Sequence, residues 1–96
     1  MTVVRIHRYR VDAGDEGEFL ARRAALIAAM RAEHPGLAEA RLIRLEDGAF
    51  IDSWRWDSRE QMRAALAAAS TMREVGAAMS LTKDATNEDG EIVEER

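Results

Sequence analysis

Asp47-Gly48, set between two runs of alternating side chains, restricts this chain more than any other feature. An Asp-Gly pair accepts the positive backbone angles of a tight two-residue hairpin, so residues 37–46 and 49–56 are expected to lie side by side as antiparallel strands. In the first run Leu37, Arg41, Ile43 and Leu45 alternate with Ala38, Ala40, Leu42 and Arg44. In the second, Phe50, Asp52, Trp54 and Trp56 point one way, because strand positions two apart share a face.

The flanks of this hairpin repeat one plan. Residues 2–11 alternate as a strand, with Val3, Arg5, His7, Tyr9 and Val11 against Val4, Ile6, Arg8 and Arg10. A turn at Asp12-Ala13-Gly14 leads to Asp15 and Glu18, spaced as an acidic helix cap, and a helix to about Glu33 carries Phe19, Leu26, Ile27 and Met30 near one face. His34-Pro35-Gly36 ends it, since proline disfavours helical geometry in the residue before it. After the hairpin, Ser58 with Gln61 forms a capping box ahead of Met62, Ala65, Leu66 and Ala69. Thr71 with Glu74 repeats that signature and predicts a short third helix through Met79. Residues 83–90 read as a polar loop, and 91–95 as a short last strand within an acidic tail, 91–96. The order is a ferredoxin-like split β-α-β: a four-stranded antiparallel sheet with its helices on one face. The strands carry apolar residues on both sides, so the uncovered face predicts a homodimer joined sheet to sheet.

Composition narrows the function classes. The 96 residues, 47% hydrophobic, make a single domain spanning 1–96. No cysteine is present, which removes disulfides and thiolate chemistry and agrees with a cytoplasmic location. MTVVRIHRYR has no apolar core of a secretory signal, and AALIAAM is too short for a membrane span. The net charge of −4 resides in the last fourteen residues, which hold six acids and two bases. Nucleic acid is therefore not an expected partner, nor is a membrane. His7 and His34 occupy unrelated elements without carboxylates at ligand spacing, so no metal site is expected.

The opening strand with Asp12-Ala13-Gly14 and a long helix, the HPGL passage at 34–37 and above all WDSREQM at 56–62 resemble the antibiotic-biosynthesis monooxygenase (ABM) superfamily. The resemblance covers nearly the whole chain and implies small α+β domains that dimerise into a barrel. It implies oxygenases that oxidise polycyclic aromatics or quinols with dioxygen and no bound cofactor, alongside haem-degrading enzymes. The haem-degrading branch uses an asparagine on the first strand and a tryptophan and histidine on later helices. His7, Ala65 and Val75 fall at those positions here, so haem is not an expected cofactor. The quinol-oxidising branch often has a histidine and an aromatic around the third helix, where this chain reads STMREVGAAM.

Within this frame the candidate catalytic residues are His7, Arg5 and Asp52. His7 has an ordinary pKa of ~6.5 that suits proton removal from an acidic phenol or hydroquinone. Arg5 or Arg41 would steady the developing anion, and Asp52 would act as acceptor or base. Trp54, Trp56 and Tyr9 would form flat walls around a small aromatic substrate. The competing reading is that the indoles fill a core or interface and Asp52 pairs with an arginine. His34 is expected to cap its helix, and Met30, Met62, Met72 and Met79 to fill core gaps. The expected function is a cofactor-independent monooxygenase with dioxygen as co-substrate. The alternative is a barrel of the same fold that only binds a small ligand.

Overall fold

In the computed structural model, which describes residues 2–96, one antiparallel sheet has the strand order β2-β3-β1-β4. The chain runs β1 (Val3–Val11), a 3-10 turn (Ala13–Asp15), α1 (Glu16–Glu33), β2 (Leu37–Arg44), β3 (Phe50–Trp56), α2 (Arg59–Ala69), α3 (Arg73–Met79) and β4 (Thr82–Glu91). This is the expected ferredoxin-like α+β arrangement. Strand β3 follows its sequence pattern: Phe50, Asp52, Trp54 and Trp56 are buried, and the residues between them are not. Two apolar clusters form beneath the helices. One gathers Val3, Leu26, Met30, Trp54, Trp56 and Met62, and the other holds Tyr9, Phe19 and Phe50. Each large side chain removed from water here contributes about 1.5–3 kcal/mol.

Local chemistry departs from expectation at several points. Asp15 makes no side-chain cap for α1; its N–H instead donates to the Asp12 carbonyl at 2.9 Å, closing the 3-10 turn, and Glu18 pairs with Arg22. Ser58 does cap α2, accepting from the Gln61 N–H at 3.2 Å. Thr71 caps no helix start: its hydroxyl donates to the Ala68 carbonyl at 2.8 Å, finishing α2. At the end of α1 the backbone N–H of His34, not its ring, donates to the Met30 carbonyl. The hairpin loop has three residues, 46–48, because Leu45 N–H bonds Ala49 O at 2.8 Å while Gly48 N–H returns to Leu45 O at 3.0 Å. Gly48 takes φ +89°, the position that needs a residue without a Cβ.

Two register effects matter for the site. Leu37 pairs with Trp56, but Glu39 pairs with Arg55, so Ala38 is an extra residue in β2. Beyond this bulge Ala40, Leu42 and Arg44 share the helix-covered face with Leu37, while Arg41 and Ile43 lie on the opposite face. Straight alternation from Leu37 assigns these sides the other way. The second effect concerns the C-terminus: residues 83–90 are not a loop but the body of β4, and 92–96 lie outside the strand. β4 is an edge strand held by its hydrogen bonds to β1 and exposed along most of its length, so no buried face marks it in the sequence. Its polar residues also limit the bare sheet face, where the apolar side chains are those of β1 to β3; Ile6 and Ile43 are 37% and 42% exposed.

Candidate functional site

Along β1 the helix-covered face is buried at Val3 and again at Tyr9, but Arg5 and His7 between them are only half-buried. The gap is a cavity of about 140 Å³. Trp54 and Trp56 of β3 line it together with Leu26 and Met30 of α1, two alanines and Leu66 of α2, and Val75 and Met79 of α3. Arg5, His7 and Asp52 form its polar end. The volume is close to the ~150 Å³ of an engineered apolar cavity that admits benzene.

Asp52 is only 2% exposed. Its Oδ2 accepts the Tyr9 hydroxyl at 2.7 Å and Arg23 Nε at 3.0 Å; its Oδ1 accepts Arg23 Nη2 and the Trp54 indole N–H, both at 2.8 Å. A carboxylate has about four lone-pair sites, and all are taken. Asp52 therefore has no free site for a substrate proton, and it pairs with an arginine as the competing sequence reading has it. Burial and the adjacent Asp52 carboxylate push the Tyr9 phenol far above its ordinary range, so it remains a protonated donor.

His7 is opposite Asp52 on β3 and Asn87 on β4. None of the hydrogen bonds that fill Asp52 comes from it. Burial first, and then the Arg5 charge, lower the imidazole pKa below 6.5, against weaker upward pulls from Asp52 and Asp89. At neutral pH the ring is uncharged and able to accept a proton. Arg5 Nη1 donates to Asp89 at 2.8 Å and Nη2 to Asn87 Oδ1 at 3.0 Å, while its Nε is buried without a partner.

The structure thus brings together five of the seven candidate residues: Arg5, His7, Asp52, Trp54 and Trp56. Tyr9 is not a cavity wall. It is 1% exposed and packs edge-on against Phe19 at 5.5 Å, so it touches the cavity's chemistry only through Asp52. Arg41 is excluded by the β2 bulge, on the far face beside Glu39. The indoles belong to the core and the cavity at once. Sequence reasoning passed over Arg23, although it lies four residues after Phe19 and three before Leu26, on the buried stripe of α1. It also passed over Asn87 and Asp89, hidden in a stretch read as loop.

Among the described residues no group of three His, Cys, Asp or Glu side chains is placed to hold a metal, and no helix is long and apolar enough to cross a membrane. The α3 residue that lines the cavity at the position of the haem-degrading branch's histidine is Val75, whose side chain offers no ligand atom to a haem iron.

The family model for antibiotic biosynthesis monooxygenase matches residues 2–78. No curated protein matches the sequence. Among solved structures, a mutant of SnoaB, a cofactor-independent oxygenase from Streptomyces nogalater, superposes with TM-score 0.79 at 22% identity, covering 98% of this chain and 95% of that one. Rv0793 from Mycobacterium tuberculosis gives 0.75 at 18% identity over 99% and 98%. A MhuD mutant with two manganese protoporphyrin IX bound per active site gives 0.69 at 24% identity over 98% and 97%. These likenesses carry the fold.

Proposed function

This chain belongs to the antibiotic biosynthesis monooxygenase family, and from that premise we propose that it oxidises a small aromatic, quinol-type substrate with dioxygen and without a cofactor. The observation that carries the reading is a neutral, half-buried His7 at the polar end of a cavity whose other walls are two indoles and aliphatic side chains. A ring lies against Trp54 and Trp56, and His7 takes its hydroxyl proton. The Arg5 charge, one strand position pair away, favours the resulting anion. For hydroquinone the balance is hydroquinone plus dioxygen to hydroxyquinone plus water: one oxygen atom enters the ring, the other leaves reduced, and the ring supplies four electrons. The protein's part is to bind, remove the proton and exclude water. Asp52 has no role as base in this scheme.

Oxygen uptake with hydroquinones and anthrones tests the reading. His7→Ala is expected to lower turnover by about 10²-fold or more. Turnover equal to the parent would reject His7 as base. Ligand binding without oxygen uptake across the panel would leave a small-ligand binder. A Soret change at stoichiometric haem would replace the cofactor-free reading with a haem protein.

The same proposal includes a homodimer. Val4, Ile6, Ile43 and Ile51 occupy the sheet face that no helix covers, and a second copy placed there would bury them. Light scattering should report twice the 10.7 kDa chain mass.

A further inference from the structure

The mechanism leaves one buried charge pair unused. Arg23 reaches from α1 to place Nε and Nη2 on Asp52 at 3.0 and 2.8 Å, with side-chain exposures of 12% and 3% for the two residues. Burying two charges confers no automatic stability, since desolvation offsets most of their attraction. The other contacts of Asp52 indicate what the pair does instead. The fork of Arg23 fixes the plane of the carboxylate, and the Oδ1 of that carboxylate holds the indole N–H of Trp54 at 2.8 Å. Three elements, α1, β1 and β3, thereby converge on one anion, and the side chain it restrains most directly is a wall of the cavity.

We propose that Arg23 is a positioning residue for the cavity: acting through the Asp52 carboxylate, it sets the angle of the Trp54 indole against which a substrate ring lies. The aromatic-substrate part rests on the function proposed above; the tethering of Trp54 does not. Arg23 touches no substrate. A flat ring is oriented only as well as the surface beneath it, and small misplacement of a reacting group is costly in rate. Lysine at this position keeps the positive charge but has no planar fork, so it separates charge compensation from orientation.

The test combines two readouts. In a Trp56→Phe background Trp54 is the sole indole, the chain having two tryptophans. Arg23→Lys there is expected to keep its far-ultraviolet dichroism, lose near-ultraviolet ellipticity and become more open to acrylamide quenching. In the parent background, kcat with hydroquinone should fall by about 10²-fold, with the acid limb of the pH profile unmoved because His7 is untouched. The loss should vanish when Arg23→Lys is made on top of Trp54→Phe, where no tether remains. Unchanged quenching and ellipticity in Arg23→Lys, or an equal loss in both backgrounds, overturns the proposal. Should the variant not fold, the parent decides: the Trp54 indole proton must exchange with solvent more slowly than that of Trp56, and equal rates overturn the tether. Absence of hydroquinone turnover in the parent sinks the functional reading alone, because fluorescence and exchange still report on Arg23.

Discussion

Arg23–Asp52 and Arg5–Asp89 are both ion pairs of 2.8 Å at the polar end of one cavity, yet the first pair's side chains are 12% and 3% exposed and the second pair's 19% and 35%. Distance alone would rank them as equals. Burial separates them. Inside, an ion that loses its partner has no water to turn to, so the pair can be kept or replaced whole but not halved. At the rim, solvent screens the attraction and can substitute for either partner. The inner pair therefore belongs to architecture and the outer one to electrostatic adjustment of His7, which faces Arg5 on its own strand, Asp52 across β3 and Asp89 across β4.

The contrast breaks most easily at Asp52. Asp52→Ala would leave Arg23 buried and uncompensated, and urea denaturation should show a loss of about 3–5 kcal/mol. A loss below 1 kcal/mol would mean the site is wetter than its burial indicates. Replacing both partners, Arg23→Met with Asp52→Leu, should cost less than Asp52→Ala alone, because both variants take the acceptor from the Tyr9 hydroxyl and the Trp54 N–H and only the single one also strands the Arg23 charge. Asp89→Asn, at the rim, should change stability by only about 0.2–1 kcal/mol. Its informative effect is on titration: without the upward pull of Asp89, the His7 pKa moves further below 6.5, as NMR of the imidazole resonance would register. An upward move would contradict the assigned geometry.

The smallest effect is a pH slope. Folded His7 has a depressed pKa, so the unfolded chain binds the extra proton first on acidification. His7 thus contributes stability that is full above pH ~6.5 and lost as pH falls toward the folded value. Thermal melts across that window should flatten in His7→Gln.

Much of this was legible in the residues. The hairpin, the two long crossovers and the alternation of β3 depend on local rules, namely turn chemistry, capping and period-two burial; these put Trp54 with Trp56 and His7 with Arg5 on one side of their own strands, whereas the register that brings both pairs to one cavity comes only from the pairing of β1 with β3. What escaped depends on contacts distant in sequence. β4 has no buried stripe and exists because β1 offers an open edge. Arg41 lies away from the site because β2 carries one extra residue, which alternation alone does not reveal. Tyr9 faces the right layer, but Phe19 and Phe50 close over it. Arg23 takes its role from Asp52, a buried partner 29 residues away in sequence that helix periodicity does not reveal.

The extra Ala38 has a consequence for how this domain tolerates length changes. Because β2 holds one more residue than β3 can match, deleting Ala38 removes slack and leaves every later β2 side chain on its present side. In β3, whose pairing with β1 is unbroken from Phe50 to Trp56, no such reserve exists. A single residue lost or gained there would slide the indoles out from under the helices. Natural or engineered gaps in this strand pair should therefore fall at position 38 and avoid 50–56.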